Sequence, residues 1–526
     1  MAVWNRLAPV ALLVLGATTQ AQTTGFGPSW THSSGPQGWT PKNISLGDRG
    51  GQVLTQFGPG YDFSRLFSAT DANPAAPIWE NQVSVLTYNQ RSASADETDV
   101  YVTLHDQALT TSTRRLFLRR FRSGSSTPEW TYEVPSITNT HDLFDVAVSQ
   151  DGERIVVVTV NSSSTNTDVY VFGPDSPTPT MSTSVPIFGF LRAFDLSADG
   201  SRLIIGSDLF AKVIDTDSGA EVDSVTLSMS PLTLAISGDG ESIAIGGQNA
   251  LVVYAMNDSG RYRQLFANVL EGTWFCRAAD ISAGGETLAC AFVGYGSSRG
   301  VRTYAYDMQR SILEETGVET MSYSKVFTGA LSNGIADLEV STTGDVFAVG
   351  TWGDANGDVP EVLVFQSDKN APLYTHDLPG SVQALDLSGD GKRLAVASKS
   401  VHNNTAGSGG RLDLYDLEVG DLRVHGVPTT GSSVRVELEG QPGRPAQLLV
   451  SRSLSKFPNF HRGVGSMALD RKSAWIIPMG TFDQNGVASL DYALPENAVG
   501  LTLYFQGAQQ APAKLSETWI KVTVLP

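Results

Sequence analysis

The stretch that decides the fold is Asp195-Leu-Ser-Ala-Asp199-Gly200-Ser-Arg-Leu203-Ile-Ile-Gly206. An Asp-Gly pair between two apolar runs is a tight-hairpin signal, because both residues tolerate positive φ. The pattern returns as Val148-Ser149-Gln-Asp151-Gly152-Glu-Arg-Ile155, Ile236-Ser237-Gly-Asp239-Gly240-Glu-Ser-Ile243 and Leu387-Ser388-Gly-Asp390-Gly391-Lys-Arg-Leu394. Looser copies are Ile281-Ser282-Ala-Gly284-Gly285-Glu-Thr-Leu288 and Val340-Ser341-Thr-Thr-Gly344-Asp-Val-Phe347, with a degenerate one at Leu46-Gly47-Asp-Arg-Gly50-Gly-Gln-Val53.

Each hairpin is followed by two more strand-like runs, such as Lys212–Asp215 then Glu221–Val225, and Arg411–Tyr415 then Asp421–Val424. The repeating unit therefore reads as four antiparallel strands. The wide gap between Gly50 and Gly152 accommodates one divergent unit, with strands expected near Val83–Tyr88, Asp99–Leu104, Arg115–Phe121 and Glu129–Val134. Counting it gives eight units with a period of about 49 residues, the signature of β-propeller blades. One small sheet cannot bury both faces alone, whereas radial stacking between neighbours does so. The expected fold is all-β: a β-propeller over 43–423, eight blades favoured and seven closed by an N-terminal strand the alternative. A C-terminal β-sandwich follows over 424–526. Its strands are expected at Ser433–Leu438, Pro445–Ser451, Ala474–Ile477, Val487–Tyr492, Gly500–Gln506 and Trp519–Leu525.

The 526 residues carry a net charge of −18, with only 17% charged and 41% hydrophobic residues. That apolar content excludes wholesale disorder. The acidic balance, −21 over residues 22–423 and +2 over 424–526, argues against a nucleic-acid partner, which needs clustered Lys and Arg. Residues 1–21 read as a signal peptide: Arg6, then the ten-residue apolar run Leu7–Gly16, then Thr19-Gln20-Ala21 as a cleavage site. The run is too short to span a bilayer. Residues 22–42 form an N-terminal segment. The expected location is secreted or periplasmic, with no membrane span.

The repeats resemble secreted bacterial β-propellers of the YVTN, WD-repeat-like and quinoprotein-like superfamily. The Asp195–Gly200 and Asp386–Gly391 hairpins and the segment Ile214-Asp215-Thr-Asp-Ser-Gly219 carry the likeness over roughly residues 43–423. The tail, through Gly500–Gln506 and Leu515–Thr523, is similar to small C-terminal β-domains of secreted bacterial proteins. The resemblance speaks to fold and leaves activity open.

Several constellations carry side chains capable of chemistry. Asp354, Asn356 and Asp358 place oxygen ligands at alternate positions, as at the start of a calcium loop. Val359 stands where Gly is expected, and Glu361 is not at the bidentate twelfth position; the competing reading is a solvated turn. Gly296-Ser297-Ser298-Arg299-Gly300 matches a nucleophile elbow, but it lies between strands, where no helix follows. Asp151, Asp199, Asp239 and Asp390 read as turn residues. Cys276 and Cys290 flank one hairpin: export favours a disulfide, whereas a regular register points the two to opposite sheet faces unless a bulge intervenes. The seven histidines, at 32, 105, 141, 376, 402, 425 and 461, show no zinc spacing. Arg114, Arg115, Arg119, Arg120 and Arg122 are expected to pair with the acidic surface. Trp79 and Trp130 occupy blade ends in the first two units only. Quinoprotein dehydrogenases typically carry a vicinal cysteine pair and regular blade-end tryptophans, which this sequence lacks. The sequence leaves any catalytic residue unknown, and no cofactor other than calcium is expected. The expected function is an exported, non-enzymatic propeller scaffold for binding a protein, glycan or envelope polymer. The alternative is a lactonase-like or quinone-dependent enzyme at the central channel; a structural part of the envelope is a third reading.

Overall fold

The computed structural model describes residues 28–523, apart from 35–37, 48–49, 59–62, 70–75, 83–89, 96–97, 109–113, 136–142, 161–165, 187–192, 209, 296–298, 327–333, 355–358, 403–408, 418–421, 426–432, 441–442, 462–464, 470–473, 485–486, 495–500 and 510–513. The signal peptide read at 1–21 lies outside the described residues. The fold is all-β, with one helix, Met308–Glu314, among the described residues.

Eight four-stranded antiparallel sheets lie between Trp30 and Asp416. Their first strands are Thr40–Ser45, Gln90–Ala95, Leu143–Val148, Ala193–Leu196, Pro231–Ile236, Trp274–Ile281, Ile335–Val340 and Val382–Leu387. Each of these touches the first strand of the next sheet, and the last touches Thr40–Ser45. The repeated sheets are compatible with a β-propeller-like fold.

The second strands explain why the sheets stack. Ile155–Val160, Ser242–Gly247 and Val346–Thr351 are buried at every position, the pattern of a strand covered on both faces. Outer strands such as Met181–Pro186 instead alternate buried and open positions. Eight apolar cores result, each shared by two consecutive sheets. One of them joins Ala395, Leu412 and Leu414 of the eighth sheet to Val53, Phe57 and Phe67 of the first.

The eighth sheet differs from expectation. Its fourth strand is Trp30–Ser33, which pairs antiparallel with Gly410–Asp416. The run at 421–424, read as that strand, instead lies in Leu422–His425, which pairs with Ser433–Glu439. Leu422 is buried in the tail's core, so apolar contact drew the strand to the other side. In the second unit the later strands stand where expected, but the inner strand is Gln90–Ala95; the expected Val83–Tyr88 lies outside the described residues.

Beyond residue 421, Leu422–His425, Ser433–Glu439 and Val487–Ala493 form a three-stranded sheet, and Trp475–Thr481, Pro445–Ser451, Thr502–Gln509 and Lys514–Thr523 a four-stranded one. Both contribute to one core, through Val434, Val436 and Ala488 on one side and Leu448, Met479 and Phe505 on the other. A hairpin of Leu454–His461 with Gly465–Leu469 completes the tail and was not foreseen.

The hairpins work as the sequence implies. Gly152, Gly200, Gly240, Gly285, Gly344 and Gly391 all have φ between 69° and 76° except Gly200 at 68°. Ser149 Oγ donates to Asp151 Oδ1 (2.6 Å) and accepts from the Arg154 amide (3.0 Å). Ser197–Asp199 and Ser388–Asp390 repeat the arrangement. A Cβ on Gly200 would also stand 2.8 Å from Ser149 Cβ of the preceding sheet. Gly200→Ala is therefore expected to cost about 2 kcal/mol or more, from positive φ plus this contact. Gly260→Ala, with φ of 73° but open space around it, should cost only about 1 kcal/mol. Denaturant midpoints of the two variants check this; equal shifts would refute the contact.

Candidate functional site

The inner ends of the eight sheets surround a cavity of about 270 Å3 to which every sheet contributes. Its rim is made of hairpin tips, including Ala198, Gly238 and Ala283. The tips are held together by backbone bonds such as Gln150 N–H to Ala198 O (2.8 Å) and Thr342 N–H to Gly389 O (2.8 Å). Small residues are required there: a Cβ on Gly238 would collide with the Ala283 carbonyl.

Beneath the tips lies an acidic layer. Asp195, Asp280, Glu339 and Asp386 line the cavity, each standing immediately before the apolar-Ser pair that opens its hairpin. Ser45 and Ser94 hold the equivalent places in the first two sheets, with hydroxyls 2.8 Å apart.

Three of the four acids accept a backbone amide of the following sheet. Asp195 Oδ2 accepts from Ile236 N–H (2.9 Å), Asp280 Oδ2 from Val340 N–H (2.7 Å), and Asp386 Oδ2 from Leu46 N–H (2.7 Å). Asp337, two residues earlier in its strand than Glu339, does the same for Leu385 N–H (3.2 Å). Asn43 serves Ser92 N–H (2.7 Å) without charge. Glu339 makes no hydrogen bond or ion pair among the described residues; it is partly buried and lines the cavity.

Burial of several carboxyls together favours their neutral forms. Desolvation, followed by the nearby Asp195 charge, pushes Asp280 up to about 8. Desolvation raises Asp195 and Asp337 to about 6. Glu339 is held well above the usual carboxylate range by burial and then by Asp280, Asp386, Asp337 and Asp195. This layer escaped the sequence reading, which tested the hairpin aspartates four residues downstream. The available signal was the acid before each apolar-Ser pair in four of the repeats.

The remaining candidates separate. Asp354 accepts from Val359 N–H (3.4 Å), while Asn356 and Asp358 lie outside the described residues. The Glu361 carboxyl lies against Gly353 at the head of that loop. It is buried between His402 Nε2 (2.9 Å) and Leu378 N–H (2.6 Å), and desolvation raises it to about 8. Among the described residues no group of three His, Cys, Asp or Glu could hold a metal ion. Gly296, Ser297 and Ser298 also lie outside the described residues, and Gly300 opens a strand, Gly300–Asp307. His32 is stacked on Trp39, with centroids 5.1 Å apart, and lowered to about 4 by burial and then Arg65. His105 is buried against Phe117 and lowered to about 3. Arg115 bridges Glu133, Arg120 and Arg122 share Glu129, and Arg119 bonds Asn81. Trp79 and Trp130 donate to the carbonyls of Arg122 and Pro174 in the following sheets.

Cys276 and Cys290 are free, buried thiols. A bulge between Cys276 and Ala278 sets Cys276 opposite Phe292 and Cys290 opposite Ala279, so both side chains enter one core. Burial, and then the neighbouring Cys276 thiol, raises Cys290. The regular-register argument fails here because the bulge resets it.

No protein-family model matches the chain, and no curated protein matches it.

Two expectations follow. The raised acids bind protons more tightly folded than unfolded, where an aspartate titrates near about 3.9. Their contribution to stability is therefore complete below about pH 4 and is lost as pH rises through the folded values of about 6 to 8. The melting temperature should fall over that window, and Glu339→Gln should flatten the fall; an unchanged slope would remove Glu339 from the coupled layer. Thiol reagents should find both cysteines unreactive in the native protein and two reactive thiols after unfolding without reductant. A count of zero would establish a disulfide instead.

Proposed function

We propose that the chain is an exported, non-enzymatic scaffold: an eight-bladed β-propeller over 43–423, closed by the N-terminal segment and followed by a C-terminal β-sandwich over 424–526. Its rim loops bind a protein, glycan or envelope polymer outside the cytoplasm. One observation carries the reading. The axial carboxyls, where a propeller enzyme would be expected to place its chemistry, are mostly engaged in accepting backbone amides of the next sheet. An acceptor fixed in that way supports architecture rather than turnover, and rigid sheets presenting variable loops suit recognition. The apolar run near the N-terminus supports export, and no helix among the described residues is long and apolar enough to cross a membrane.

The raised Asp280 favours a second reading, an enzyme at the channel, since a carboxyl near about 8 could act as a general acid at neutral pH. One experiment separates them. The full chain is expressed with its N-terminus intact, the exported product is weighed by mass spectrometry, and it is assayed for saturable co-sedimentation with purified envelope polymers and for lactone hydrolysis and quinone-dependent oxidation. The scaffold reading expects a product beginning at Gln22, saturable binding and no turnover. Turnover abolished by Asp280→Asn would overturn it in favour of the enzyme, and a retained leader would overturn export.

A further inference from the structure

The junction between the first and second sheets has the smallest apolar core of the ring among the described residues. It consists of Leu54, Leu66, Trp79, Tyr101 and Phe121, all toward the hairpin side. Two residues further along the strands, on the same face, the register aligns Asn43, Gln56, Ser64 and Asn81 across the first sheet. Ser92, Thr103, Arg119 and Thr131 align across the second. The two rows meet. Asn43 Oδ1 accepts from the Ser92 amide (2.7 Å) at the inner end, and Arg119 Nη1 donates to Asn81 Oδ1 (3.0 Å) further out. A polar band therefore runs the depth of this junction. In the seventh sheet the places of Gln56 and Ser64 are held by Gly350 and Val362.

The middle of the band is unsatisfied. Gln56 and His105 are 1% and 2% exposed, yet Gln56 Oε1 and both His105 ring nitrogens have no hydrogen-bond partner among the described residues. His105 follows Thr103 by two residues and so shares its face. Burial, and then Arg119, lowers His105 to about 3, so its neutral ring offers one donor and one acceptor. Arg119 is half-buried, its partner Asn81 is neutral, and no carboxylate bridges it among the described residues. Buried polar atoms left unpaired are costly, and water alone would leave the guanidinium without counter-charge. An anion carrying hydroxyl groups answers both needs. Its carboxylate takes the Arg119 N–H groups, and its hydroxyls pair with Gln56 and His105. The near-complete burial of those two residues admits only a small molecule. We infer that the junction of the first and second sheets binds a small hydroxycarboxylate, with Arg119 holding the carboxylate and Gln56 and His105 pairing with the hydroxyls. The site is independent of the rim loops and of the axial cavity, and stands whatever those bind.

Calorimetry on the full chain at neutral pH tests this with glycerate, acetate, glycerol and chloride. Glycerate should bind saturably. Acetate, which lacks hydroxyls, and glycerol, which lacks charge, should each bind at least about tenfold more weakly, because each leaves part of the band unpaired. Arg119→Gln should weaken glycerate at least about tenfold. Gln56→Leu should lower the affinity for glycerate toward that for acetate and leave acetate unchanged. Absence of glycerate binding would leave water as the occupant and overturn the proposal. Equal affinity for glycerate and any of the other three, unchanged glycerate affinity in Arg119→Gln, or equal loss of glycerate and acetate in Gln56→Leu would overturn it as well. The ranking of the four ligands is measured on the unaltered protein, so it decides the matter even where a variant does not fold.

Discussion

The first strand of every sheet in the ring is an edge, and its outward backbone amides have no partner within the sheet. An unpaired amide buried at the axis would be costly. The chain answers with a side-chain acceptor reaching from the sheet before: Asn43 to Ser92, Asp195 to Ile236, Asp280 to Val340, Asp337 to Leu385 and Asp386 to Leu46. Such a bond contributes about 0.5–1.5 kcal/mol where the acceptor is neutral and about 1.5–3 kcal/mol where it is ionised, and all five set the height of one sheet against the next. The hairpin glycines act at the same level. Gly50 approaches Ser388 and Arg393, and Gly391 approaches Ser341 and Val346, so each turn seats on the turn before it. Apolar burial holds the sheets face to face; the amide acceptors and the glycine seats decide their offset.

Closure depends on residues far apart in the chain. Trp30–Ser33 joins Gly410–Asp416 as the outer strand of the eighth sheet. Buried Asp413 accepts from Thr31 Oγ1 (2.5 Å) and from Arg411 (2.6 Å). Trp30 enters the core shared by the eighth and first sheets. Asp386 makes the corresponding bond on the axial side, to Leu46. The ring is thus sealed at its inner and outer radii by contacts that form only when both ends of the array meet. Such non-local pairing is slow to assemble because loop-closure entropy precedes its reward.

What could be read in the sequence was what is local. The Ser-x-Asp-Gly turns signal themselves within six residues, and the buried second strands follow from their unbroken apolar runs. Gln90–Ala95 was missed because QRSASA has no apolar alternation; its place is set by the neighbouring sheets. Leu422–His425 was assigned to the ring because the repeat called for a fourth strand there, and nothing near residue 421 announces that Trp30–Ser33 has taken it. The bulge at Cys276 leaves no local mark either, and it alone reverses the side to which Cys276 points. The acidic layer was hidden for a related reason. An aspartate before an apolar-Ser pair is unremarkable until the amide it faces, some 40 to 60 residues later or across the seam of the ring, is known.

Asn43 supplies the last step. It stands at the repeat position of Asp337 and satisfies Ser92 as Asp337 satisfies Leu385, with a neutral oxygen. The fold requires an acceptor at these places and does not require charge. Of the four carboxyls gathered around the cavity, three accept an amide of the following sheet, and desolvation followed by the neighbouring acids raises Asp280 and Glu339. Glu339 is the fourth: it adds to the repulsion while satisfying no amide among the described residues.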